Sequence, residues 1–140
     1  LMENSYFRGS YMTDAFDSAF EEKEKKIVLS DIKKKYPAEW QEIFDKSRER
    51  FEKLLMCPGR KIIIAFGNEA FKYIQKFTEE KFQQSDIKIL ENKIESITLK
   101  QSDREWLVFK IYHPSPLNAK NRHKLPDQIK YLAKEIPVLQ

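Results

Sequence analysis

The chain has 140 residues, of which 41% are hydrophobic and 13% aromatic, and it carries a net charge of +4. That length is enough for a core of its own, and the composition excludes a disordered tail. A single cysteine, Cys57, excludes an intramolecular disulfide and a cysteine zinc cluster, and two histidines are too few for a histidine metal site without many carboxylates.

No metal and no cofactor is therefore expected. The lone cysteine fits a reduced compartment, so a cytoplasmic location is the expectation. No run is long and apolar enough to span a membrane, and "LMENSYFRGSYMTD" (1–14) lacks the shape of a signal peptide. The basic excess is compatible with a polyanion partner, although a heavily charged solvated surface accounts for it as well.

"GSYMTDAF" (9–16) reads as a short strand, with Tyr11 and Thr13 as strand formers and Asp14 at its end. Residues 17–35, with "EEKEKK" the densest run, read as a solvated loop leading to a short helix. The spacing of Trp40, Ile43, Phe44, Phe51, Leu54 and Leu55 predicts a helix over 37–56, with Pro37 suited to its first turn and "CPG" (57–59) ending it. "KIIIAFG" (61–67) is apolar on both faces and closes on Gly67. Such a strand belongs in the middle of a sheet covered on both sides.

A helix is predicted over 68–84, with Asn68 as its N-cap and Ala70, Phe71, Ile74 and Phe77 facing inward. Strands follow at 87–91, 94–101 and, more strongly, 104–113. The last helix, 121–136, is expected to bury Leu125, Ile129, Leu132 and Ala133, with Pro126 tolerated only near its first turn.

Strands alternating with helices predict one α/β domain over 1–140: a three-layer α/β/α sandwich with a central, mostly parallel sheet. In such sheets the working site lies at the carboxyl ends of the strands. Thr13-Asp14, Phe66-Gly67 and Tyr112-His113 are therefore expected to cluster on one edge.

The segment "KIYHPSPLNAKNRHKLPDQI" (110–129) carries the densest chemistry. A histidine where a strand gives way to a loop can donate a hydrogen bond to a developing anion, or can be a satisfied structural residue. Pro114 and Pro116 stiffen the loop and hold Leu117 at its tip. There Leu117 either packs on the adjacent helix or serves as an apolar wedge into a base stack. Lys120, Arg122, His123 and Lys124 surround the start of the last helix, where backbone N–H groups and cations together suit a phosphate. A solvated charged face is the plainer reading of the same run.

"HPSPLN" (113–118) resembles the second signature motif of the uracil-DNA glycosylase superfamily. "IIIAFGNEAF" (62–71) is similar to the strand–glycine–helix in the middle of those proteins, and "GSYMTDAF" resembles the strand whose end reads the pyrimidine. The three segments occur in the expected order over nearly the whole chain, with HPSPL the most specific of them. The resemblance implies a four-stranded sheet between helices and a base pocket at the strand ends.

It further implies that His113 hydrogen-bonds the uracil O2 as negative charge builds on the leaving base. Ser115 would contact a phosphate, and Leu117 would fill the hole left by the flipped nucleotide. Asp14, Tyr11 and Asn68 become the base-recognition candidates, and Asn118, Lys120, Arg122 and Lys124 join Ser115 and Leu117 as DNA-binding candidates. The implied partner is DNA, single- or double-stranded, met by a monomer with no membrane association.

Two departures bear on activity. The family's glycine-rich, Asp- or Asn-bearing loop, which positions the attacking water, is absent from these 140 residues. The chain opens on Leu1 and runs at once into a strand-like segment, so an upstream strand and loop are expected to be missing. Asp14 stands where the family usually has Asn. An ionised Asp offers only acceptors, so it would repel the uracil O4 and accept from an exocyclic amine, or else simply cap the next segment. Three readings follow: a DNA-repair glycosylase domain, a non-catalytic module of the same fold that binds nucleic acid or a nucleotide, or an α/β protein of another function in which HPSPL is a coincidence.

Overall fold

A computed structural model describes residues 33–59, 61–114 and 119–139. Two compact units divide them, one ending at Cys57 and the other beginning at Pro58. The first unit contains helix α1, Pro37–Leu55, with proline in its first turn as expected. Trp40 and Leu55 are buried, and Ile43, Phe44, Phe51 and Leu54 are half-buried. The Trp40 and Phe44 rings lie 6.3 Å apart, one helical turn from each other.

The second unit runs in the order β1 (Ile62–Phe66), α2 (Gly67–Thr78), β2 (Gln83–Gln84), β3 (Lys88–Ile89), a 3-10 turn (Glu91–Lys93), β4 (Glu95–Gln101), β5 (Arg104–Ile111), α3 (Ala119–Arg122) and α4 (Leu125–Leu139). The sheet order is β1-β5-β4-β2, and β3 also pairs with β4. Only β1 and β5 run parallel; β2, β3 and β5 each meet β4 antiparallel.

The mostly parallel sheet expected from sequence is therefore not what the described residues form, because their sheet is mostly antiparallel. The physical reason is the connection. Ser102 and Asp103 join β4 to β5 with Gln101 opposite Arg104, and a two-residue turn can only reverse the chain. Ser102 takes a left-handed φ of 56° to close it. Among the described residues β1 has one neighbour, β5, and its side chains are half-buried except for buried Ala65.

Strand alternation and register sort the core into two faces. Leu107, Phe109 and Ile111 share one face of β5, opposite Ile62, Ile64 and Phe66 of β1. Against that face lie Leu125, Leu132, Ala133 and Ile136 of α4, with Ile94. Trp106, Val108 and Lys110 point the other way, opposite Leu99, Ile97 and Glu95 of β4. There Phe82 meets Trp106 edge-on at 5.4 Å, and Lys110 reaches Asn68 and Phe71 of α2. Each fully buried Leu, Ile, Val or Phe of these clusters contributes about 1.5–3 kcal/mol.

Three boundaries differ from the sequence reading. Helix α2 stops at Thr78, not at 84, and the chain that follows folds back on its last turn. The Gln84 side-chain amide donates to the Gln75 carbonyl at 2.6 Å, and the Phe82 N–H donates to the Thr78 carbonyl at 3.0 Å. The chain thereby turns Phe82 into the core. The N-cap of α2 is Phe66 rather than Asn68, which instead falls inside the first turn. The single last helix is divided into α3 and α4. Pro126 lacks the N–H that would bond back to the Arg122 carbonyl, so a new helix starts just before it.

Candidate functional site

The parallel pairing of β1 and β5 sets Phe66 opposite Ile111. Both strands thus end at the same edge, and the residues just past them, Gly67 and His113, come together there. Gly67 has φ +91°, and a Cβ built on it would sit 3.3 Å from the His113 Cβ and 3.7 Å from its Cδ2. A side chain at 67 would be strained in the backbone and would press on the imidazole carrier. Glycine is what lets the histidine cross the end of β1. Of the three strand ends expected to cluster, these two do so. Thr13 and Asp14 lie outside the described residues, as does Tyr11.

His113 is exposed and Pro114 half-buried. An exposed imidazole at a strand terminus is within reach of a ligand laid over the sheet edge, and an imidazole N–H is a donor suited to a developing anion. Ser115, Leu117 and Asn118 fall outside the described residues. Past them, Lys120 on α3 is exposed, and Lys124, half-buried, immediately precedes α4. Arg122 ends α3. The expected basic cluster therefore flanks a broken helix rather than opening a continuous one.

Two residues that sequence reasoning passed over organise this edge. The first is Lys110, three residues before His113. Its ammonium donates to the Asn68 Oδ1 at 2.6 Å, pairs with the Glu95 carboxylate at 2.5 Å and lies 5.9 Å from the Phe71 ring centroid. Asn68, a base-recognition candidate, thus has its carbonyl engaged by β5. The sequence signal was a lysine in the apolar run "WLVFKI", on the same face as Trp106 and Val108.

The second is Gln128 of α4, which is 1% exposed. It accepts from the Tyr112 N–H at 2.7 Å and donates to the Asn92 carbonyl at 2.9 Å. Its signal was a glutamine inside the helical apolar stripe, between Leu125 and Leu132.

A cleft of about 390 Å³ opens beside this end of β5, lined in part by Lys93, Glu95, Lys110, Tyr112 and Gln128. His113 does not line it, so the cleft is a neighbour of the strand-end site rather than the site itself. Burial, then the nearby Glu69 carboxylate, raises the Tyr73 phenol above its usual range. Burial, followed by Glu135 and Glu91, does the same for Tyr131. Both stay neutral near pH 7 and supply no base. Among the described residues no cluster of three His, Cys, Asp or Glu side chains could hold a metal ion, and no helix is long and apolar enough to cross a membrane.

In this mixed α/β domain the two parallel strands end side by side, β1 just before Gly67 and β5 shortly before the exposed His113 and half-buried Pro114. The model of the Uracil DNA glycosylase superfamily matches residues 3–136, nearly the whole chain, and the protein belongs to that superfamily. Neither a curated protein nor a solved structure matches the chain.

Proposed function

We propose that this protein is a DNA-repair glycosylase domain that receives a flipped, uracil-like base at the β1/β5 edge and promotes hydrolysis of its N-glycosidic bond. The observation that carries the reading is His113. It stands exposed at the end of β5, against a glycine that makes room for it, in a chain of this superfamily. Cleavage of the bond leaves negative charge on the base, and a preorganised N–H donor lowers the barrier to forming that charge. A duplex base must also leave the stack before any such site can reach it.

In this proposal His113 donates to the base O2, Ser115 holds a phosphate, Leu117 fills the vacated stack, and Asn118, Lys120, Arg122 and Lys124 engage the DNA backbone. Asp14, Tyr11 and Asn68 read the base. The same proposal includes one domain over 1–140, a monomer in the cytoplasm, and a three-layer sandwich. The contacts of α2 and α4 with opposite faces of β5 support the layering.

One observation favours a second reading, a module of the same fold that binds nucleic acid without cleaving it. The chain holds three glycines in 140 residues, and no glycine-rich Asp or Asn loop for the attacking water occurs among them.

The test is base release from single- and double-stranded oligonucleotides carrying uracil, with binding to the same probes measured in parallel. The glycosylase reading expects release that falls about a hundredfold or more in His113→Ala, the scale of losing one donor to a developing anion. Salt-dependent binding without release supports the second reading. Release that is unchanged in His113→Ala refutes the site.

A further inference from the structure

Burying a primary amide is unfavourable unless both its ends are paired, and a leucine would fit the α4 stripe with no such demand. Gln128 meets the demand with two backbone groups from different elements. Tyr112 is the first residue past β5, where the ladder no longer supplies a partner for its N–H, and the Gln128 Oε1 takes that N–H at 2.7 Å. Asn92 sits in the 3-10 turn with a left-handed φ of 59°, and its carbonyl receives the Gln128 Nε2 at 2.9 Å. An N–H can only meet the amide oxygen, and a carbonyl can only meet the amide nitrogen, so the orientation of the side chain is determined. The N–H it holds belongs to Tyr112, the residue immediately before His113.

We infer that Gln128 is a positioning residue. By clamping Tyr112 to the 92–93 turn, it sets the direction in which the chain leaves β5 and so the placement of His113 over Gly67. This inference rests on the proposed role of His113. It assigns no contact between Gln128 and the base.

The substitution Gln128→Glu provides a readout that a merely structural residue would not give. Protonated, the carboxyl reproduces both bonds: its carbonyl accepts from Tyr112 and its hydroxyl donates to Asn92. Ionised, it turns an acceptor on the Asn92 carbonyl and leaves a buried charge. Burial would raise the carboxyl above the ordinary range. The titratable groups that line the same cleft are Lys93, Glu95, Lys110 and Tyr112. Glu91 lies on the turn, and Lys124, Asp127, Tyr131 and Glu135 lie on or next to α4. These are common to variant and wild type, as are both histidines, so the ratio of the two at each pH isolates position 128.

Affinity for a uracil-containing oligonucleotide is expected to be about tenfold below wild type at pH 8 and to recover to within about threefold at pH 5. In wild-type protein the Tyr112 amide is expected to exchange as slowly as the amides within β5. In Gln128→Leu it is expected to exchange rapidly, with the His113 ring resonances displaced. A ratio that does not change with pH overturns the inference. So does a Tyr112 amide that is unprotected in the wild type, or a His113 resonance unmoved by Gln128→Leu. Failure of the wild type to bind DNA refutes the proposed function instead, and the exchange and resonance measurements still decide the role of Gln128.

Discussion

Replacing Gly67 with alanine is the most direct test of the β1/β5 edge, and Gly59 supplies its control. Both glycines have left-handed backbones, φ +91° at Gly67 and φ +80° at Gly59. An L-residue there costs about 1–2 kcal/mol in backbone strain. Around Gly59 a new Cβ meets nothing within 4 Å, whereas at Gly67 it meets the His113 Cβ at 3.3 Å. That contact is between two backbone-anchored carbons, so no rotamer change relieves it, and crowding of this kind adds about 1–3 kcal/mol.

Urea unfolding should therefore show a loss of about 2–5 kcal/mol for Gly67→Ala against about 1–2 kcal/mol for Gly59→Ala. Combining Gly67→Ala with His113→Gly removes the opposing Cβ and should return about 1 kcal/mol in a double-mutant cycle. His113→Ala keeps that Cβ and should return little. Equal losses at the two glycines, or a cycle with no coupling, would refute the claim that Gly67 is required to seat His113.

Three further outcomes are expected. Lys110→Met should destabilise the chain by about 1–2 kcal/mol, and a cycle with Asn68→Ala in urea melts should show coupling, because the two share the 2.6 Å bond. Neutralising Lys120, Arg122 and Lys124 to Gln should leave the unfolding midpoint nearly unchanged. In a titration from 50 to 200 mM salt, the same triple change should flatten the dependence of duplex affinity by about 0.9 in log–log slope for each phosphate contact removed. Phe77→Ala, at a side chain 1% exposed, should cost about 3–5 kcal/mol by chemical denaturation.

Much of this protein was legible in its sequence. The helix over Pro37–Leu55, the strands at 62–66, 95–101 and 104–111, and the inward faces of α2 and α4 all follow from hydrophobic periodicity. Periodicity depends on one residue's neighbours three, four or two positions away, so a single sequence carries it. The strand end near His113 was equally visible, because an apolar run ending in "HP" marks it by local chemistry alone. Superfamily membership, read from three short segments, agrees with the match over residues 3–136.

Other features were settled only by tertiary structure. Strand direction was one, since an apolar run reads the same whether its neighbour is parallel or antiparallel. The parallel partner of β1 is β5, far along the chain, and only the fold brings the two together. The role of Asn68 was another: as a helix-start asparagine it looks like a cap, yet Lys110, 42 positions away, takes its carbonyl. Gln128 stands within the apolar stripe of the last helix, but only the fold supplies the Tyr112 N–H and Asn92 carbonyl that pair its amide. Each of these depends on partners distant in the chain. Side-chain periodicity shows that a residue turns inward, but the group that meets it there is chosen by how the strands and helices pack.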